Sequence, residues 1–427
     1  MRRALHRFGP SKGAPIIETE PTTTDRLTGR TAWLLAAITG ATVANAYYIH
    51  PIIADVARGF GVSPAAAGIV PAANQIALAL GIFLLLPLGD RFSNRRLAIV
   101  FAACQAAALV AMALAESFVV FTAASTLLGF VTVVPYLMPA YASKRVAPER
   151  LGHVTALLTA GVIVAILLAR TGAGVVAEHA DWRWVYWIAA AIMAAATLLT
   201  VIVLEDREDA DEGEARTGYF ALVGSTLRLM REHRVVLVSG TIQACNFGTF
   251  VAVWLGLAFY LTGPEMGYGT DTVGYLAAVS AASIFITPAL GRWADRIGPY
   301  RARFYLALCQ LGASLMLWPA GASIWLLLVP LLISNIVGAP IDVVGRMTLL
   351  SLAPDVRTRL MTGYIILMFI GGGLASWLAP AAYDVAHWPG IAAIAVALTA
   401  IIVLLSWIAW RREVSSAAAG WNTSRPD

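Results

Sequence analysis

Twelve long apolar runs, separated by short polar connections, decide most of what this chain can fold into. They lie near 32–55, 64–87, 97–115, 118–142, 153–177, 184–204, 234–261, 273–291, 303–320, 323–348, 359–383 and 389–410. A bilayer hydrocarbon core about 30 Å thick takes roughly 20 apolar residues of helix to cross, and each run has about that length. The runs are continuously apolar and not alternating. That selects helices over a barrel, because a helix satisfies its own backbone polar groups within one segment. Composition agrees, since only 13% of the 427 residues are charged, against roughly 25% in a soluble domain. The predicted fold class is an all-α membrane protein whose twelve transmembrane helices form two pseudo-symmetric six-helix bundles.

The net charge of +5 could point to nucleic acid. The placement of the charge excludes that partner, because the basic residues fall in short clusters between the apolar runs. Of the 30 lysines and arginines, 27 lie in the two tails and the even-numbered connections. Arg58 and Arg183 are the two on the other side, and Arg170 lies inside the fifth run. By the positive-inside rule both termini are cytoplasmic. Residues 1–31 lack the apolar core of a signal peptide and read as a cytoplasmic tail, as do residues 413–427. Cys104, Cys245 and Cys309 are far apart in apolar surroundings and suggest neither a disulfide nor a metal site.

The second half of the chain repeats the first. Pro87-Leu-Gly-Asp-Arg-Phe-Ser-Asn-Arg-Arg96 follows the second run, and Gly291-Arg-Trp-Ala-Asp-Arg-Ile-Gly298 follows the eighth. Asp90 maps onto Asp295 and Arg91 onto Arg296, 205 positions apart. Val146-Ala-Pro-Glu-Arg150 and Leu352-Ala-Pro-Asp-Val-Arg357 repeat at nearly the same offset, and Asn45 and Asn246 at a slightly shorter one. A parallel repeat about an axis along the membrane normal places a central site between the halves. The predicted organisation is a first bundle over 32–204, a cytoplasmic linker over 205–233 and a second bundle over 234–412. The linker opens with an acidic stretch, and Tyr219 to Arg234 reads either as a short surface helix or as irregular chain.

Twelve helices, a long central connection and a Gly-x-x-x-Asp-Arg-x-Gly-type loop after helices 2 and 8 resemble the major facilitator superfamily, over the whole chain apart from the tails. The second loop carries Gly291, Asp295, Arg296 and Gly298. The first has Leu86 and Ser93 where the family has glycines, but keeps Asp90, Arg91, Arg95 and Arg96. Asn45-Ala-Tyr-Tyr-Ile-His-Pro-Ile-Ile53 with Pro87-Leu-Gly-Asp90 further resembles bacterial drug and sugar efflux permeases. Helix 5, Gly161 to Gly174, is glycine-rich but lacks the proline of the family's antiporter signature. The resemblance implies a multi-pass carrier in the bacterial inner (plasma) membrane. It also implies that Asp90, Arg91, Arg95, Asp295 and Arg296 form a conformational latch. Physically, a carboxylate there can pair with arginines or with the N-terminal end of a facing helix.

Polar side chains at membrane depth are costly and mark candidate sites. Arg170 either binds an anionic substrate or carboxylate, or acts as a structural strut. Asn45, Tyr48, Asn74, Gln75, Gln243, Asn246 and Asn335, with the aromatic Tyr136, Trp254 and Tyr364, come from both halves. Singly, each amide reads as an interhelical tie, and together they read as a substrate cavity. His50 and Asp342 are the candidates for proton coupling, Asp342 having Arg346 a turn away. No catalytic cluster, metal set or nucleotide loop is present in the sequence, so neither enzyme chemistry nor a cofactor is expected.

The function expected is secondary active transport of a small organic molecule by alternating access, as proton-coupled efflux by antiport, from a functional monomer. The alternative is uptake or facilitated diffusion of an organic anion or sugar, and a membrane-embedded enzyme is the distant one.

Overall fold

The structure, a computed structural model, describes residues 27–205, 219–280, 283–350 and 354–423. The first half holds α1 (Gly29–Phe60), α2 (Pro64–Gly89), α3 (Asn94–Leu114), α4 (Phe118–Ser143), α5 (Pro148–His179) and α6 (Trp182–Val203). A linker helix, Tyr219–Glu232, leads to the second half. There α7 is Arg234–Thr262, α8 runs as Thr270–Ser280 and Ser283–Ile297, α9 is Pro299–Ala320 and α10 is Ile324–Leu350. The last two spans, α11 and α12, form one run from Pro354 to Thr423, broken where Ala386 and His387 leave helical geometry. The twelve-helix, two-bundle architecture is therefore the one the apolar runs predict. The acidic part of the linker and most of the N-terminal tail lie outside the described residues. At the other end α12 continues past 412 to Thr423, through an alanine-rich stretch of high helix propensity.

Local signals set the helix ends. Thr28, Ser63, Ser117 and Asp181 cap α1, α2, α4 and α6 by accepting backbone N–H groups, as short polar side chains do at N-caps. The two Asp-Arg loops end differently. The first tightens into a 3-10 turn over Leu86–Asp90, and Ser93 takes φ −54° before α3. The second runs as α-helix to Ile297, and Gly298 takes φ 90° before α9. A side chain strains at that φ, so the glycine found in the second loop is needed there, and serine suffices in the first. Arg303, counted in the sequence among the loop charges, is fully buried in α9, where its Nη1 donates to Ser239 Oγ at 3.1 Å.

The seam between the halves is not uniform. Within the membrane, α7 packs on α1, and α2 on α11. At the end away from the Asp-Arg loops, the first part of α8 packs against α5 and α1. At the loop end, the second part of α8 packs within its own half, on α9 and α10. The α5–α8 seam is thus closed at the far end, while α2 and α11 also pack toward the loop end, through Leu78, Ile82, Ile366 and Phe369.

Candidate substrate cavity

The repeat places an amide pair in each half. In the first, Asn45 Nδ2 donates to Gln105 Oε1 at 2.8 Å, tying α1 to α3. In the second, Gln310 Nε2 donates to Asn246 Oδ1 at 3.0 Å, tying α9 to α7. The second pair is also linked to its surroundings, because Asn246 Nδ2 reaches Gln243 Oε1 at 2.9 Å and the Gly338 carbonyl at 3.0 Å. Gln105 and Gln310 were not among the sequence candidates. Their separation of 205 positions, the same as that of the Asp-Arg loops, is the signal that would have found them.

The second pair lines a cavity of about 270 Å³ on the seam between the halves. Gln243, Asn246, Trp254, Asn335 and Asp342 line it from the second half, with Phe247, Phe250 and Gln310. From the first half only Tyr47 and Ile166 reach it. Asp342 accepts from Arg346 Nε at 3.0 Å on both oxygens and from the Tyr364 hydroxyl at 2.8 Å. One carboxylate on the cavity wall thus already has three donated hydrogen bonds. Asn335 returns its amide to the Leu331 carbonyl of its own helix.

Arg170 stands one turn beyond Ile166 on α5. It is 5% exposed, and its guanidinium lies over the Trp254 ring at 3.7 Å and near Phe250 at 5.2 Å. Its Nε has no hydrogen-bond partner, and no carboxylate pairs with it among the described residues. Stacking on indole favours a cation but does not replace the hydrogen bonds that water would supply. His50 is close by, buried, edge-on to Tyr47 at 5.3 Å, and both its ring nitrogens lack a partner among the described residues. Tyr47, Phe250, Trp254, His50 and Arg170 therefore form one aromatic-cationic cluster at the far end of the cavity.

Other candidates are placed elsewhere. Asn45 faces α3. Tyr48 borders a crevice between α1, α5 and α6, because the chain turns at Asn45–Tyr48 and does not carry one helical face through both residues. Asn74 donates to the Ser125 carbonyl at 2.7 Å as an α2–α4 tie. Gln75 is buried with neither amide atom partnered among the described residues. Tyr136 meets Phe369 edge-on at 6.3 Å and lines a smaller cavity at the loop end. Of the latch candidates, Arg95 donates to the Val201 carbonyl of α6 at 3.0 Å, while Asp295 and Arg296 are exposed. Arg91 is exposed too, and the Asp90 side chain lies outside the described residues.

Two bundles meet along one seam, and the cavity on it sets polar groups in a largely apolar wall. The sequence profile described as the Major Facilitator Superfamily matches residues 33–350, and the chain belongs to that family of multi-pass membrane transporters. The chain is 28% identical over 378 residues to an uncharacterised transporter, YgaY, of Escherichia coli O157:H7, covering 88% of this chain and 94% of that protein. It is 29% identical over 380 residues to the probable transporter SCO4007 of Streptomyces coelicolor, covering 88% and 86%. Among solved structures, a variant of the nucleoside transporter NupG superposes with TM-score 0.72 at 12% identity, over 89% of this chain and 98% of that one. A D-xylose–proton symporter follows with TM-score 0.70 at 15% identity, over 89% and 97%. A bacterial homologue of the lysosomal transporter Spinster, inward-facing and occupied, has TM-score 0.70 at 14% identity, over 90% and 96%. At these identities the structures share the fold.

Proposed function

We propose that this transporter is a secondary active carrier of a small organic molecule, working by alternating access and driven by protons in the efflux direction. The observation that carries the reading is the cavity on the seam, closed at one end, with Asp342 on its wall. A carboxylate whose donors can rearrange as the halves rock is suited to taking and releasing a proton in step with access. The loop end, rich in arginine, faces the cytoplasm with both termini, in a bacterial inner membrane. On this reading Asp295, which has no ion-pair partner among the described residues, belongs to a latch that closes in the other state.

A second reading rests on Arg170, which has no carboxylate partner among the described residues and can receive an anionic group of the cargo. The fold neighbours named for nucleosides and for D-xylose–proton symport also keep uptake of a sugar-like or anionic compound, or its facilitated diffusion, as the alternative. Purified protein in liposomes, loaded with a panel of small organic cations, anions and sugars under an imposed pH gradient, separates these readings. Extrusion that follows the gradient and stops in Asp342→Asn supports efflux by antiport. Movement that ignores the gradient contradicts proton coupling.

A further inference from the structure

At the far end, two carboxylates each cross the seam to the first turn of a helix in the opposite half. Glu178, at the end of α5, accepts the backbone N–H of Thr270, the first residue of α8, with Oε2 at 2.6 Å. Asp384, at the end of α11, accepts the backbone N–H of Ala65, in the first turn of α2, with Oδ2 at 2.9 Å. α2 spans 26 residues from Pro64 with a turn at Gly68, and the first part of α8 runs over 11. Glu178 and Asp384 are 206 positions apart, and Ala65 and Thr270 are 205 apart. The contacts are therefore the same contact, made twice by the repeat.

The packing around them repeats as well. A Cβ on Gly274 of α8 would lie 2.9 Å from the Thr171 carbonyl of α5. A Cβ on Gly68 of α2 would lie 2.8 Å from the Ser376 carbonyl of α11. Both seams are backbone-close, and each ends in its carboxylate. The first has further support, since the Thr270 hydroxyl donates to Asp55 Oδ2 at 2.7 Å.

We propose that Glu178 and Asp384 are paired latches that hold the far end closed, and that this end opens only when both release. The proposal rests on the alternating-access reading above. A carboxylate on a helix N-terminus combines a charge-assisted hydrogen bond with a favourable interaction with the helix dipole. Here both terms cross the seam, so both are lost on opening. The helices that receive these carboxylates, α2 and α8, are the two that carry the Asp-Arg loops at their other ends. Each therefore has an acceptor for a latch at one end and a latch carboxylate at the other.

Hydrogen–deuterium exchange by mass spectrometry on the full chain in nanodiscs tests this without a substrate. Glu178→Gln should speed exchange about tenfold in 268–276, where the acceptor of its own bond loses its charge. It should also speed exchange in 63–70, in the other half, where no contact was altered. Asp384→Asn should do the same in reverse, and the thermal midpoints of both variants should show that each is folded. Acceleration confined to the altered seam would make each carboxylate a local cap and overturn the proposal, as would no acceleration in either. Segments 134–145 and 290–297, at the loop end, provide the separate control. If both far-end segments speed up while these stay unchanged, the latch stands and the alternating-access reading fails.

Discussion

The two halves of the molecule share their scaffold but not their wall. Each has an amide tie between its first and third helices, a loop with Asp-Arg after its second, and a carboxylate at the end of its fifth. Yet Asn45–Gln105 is spent inside the first bundle, whereas Asn246–Gln310 faces the cavity with Gln243, Asn335 and Asp342. The first half contributes Tyr47 and Ile166, and the unpartnered Arg170 behind them. The repeat thus keeps the ties and the far-end contacts in both halves, and the halves differ in what they bring to the cavity. Where a pair of repeated residues has kept the same role, symmetry is structural. Where the roles have parted, one copy has become available for binding.

Substitutions can break this contrast. The largest effect is expected at Arg170, the buried charge behind Tyr47 and Ile166. Arg170→Met should weaken binding of an anionic cargo about 100-fold or more, since truncating one side of a buried charge pair costs about 2–5 kcal/mol. Isothermal titration against the anions that the liposome panel identifies would measure it, and unchanged affinity would leave Arg170 a strut. Next is the amide comparison. Asn246→Ala should lower affinity about tenfold, the cost of one or two hydrogen bonds. Asn45→Ala should leave affinity unchanged and lower the unfolding midpoint instead, by the loss of a tie worth about 0.6–2 kcal/mol. Equal effects from the two would dissolve the distinction between scaffold and wall. The smallest contrast lies in the loops. Gly298→Ala, at φ 90°, should cost about 1–3 kcal/mol of stability, read by thermal unfolding in detergent.

Much of the scaffold was legible in the sequence, because length, apolarity and charge placement act locally. Twelve runs and a biased arginine count require no knowledge of partners. The cavity was legible in part. Asn246, Gln243, Trp254 and Asp342 stood out as polar or aromatic groups at membrane depth, and Arg170 as a buried charge. What failed was inference across a helix face. Asn45 and Tyr48, both candidates for the cavity, go to different neighbours where the helix of α1 is interrupted over 45–48. Glu178 and Asp384 carry no mark of their own in the sequence, since what they meet depends on which helix N-terminus lies opposite. The repeat offset held that information, and pairing it with the structure brings it out.

Alternating access requires that the two ends open in turn. Spin labels at Glu116 and Tyr268 report the far end, and labels at Ser143 and Arg301 the loop end, with the native cysteines replaced. Double electron–electron resonance on both pairs in nanodiscs, for the native sequence and for Glu178→Gln with Asp384→Asn, reads the two ends under one condition. The double variant should lengthen the far-end distance and shorten the loop-end distance by matching populations. Both distances lengthening together, or the loop end holding still while the far end opens, would contradict it.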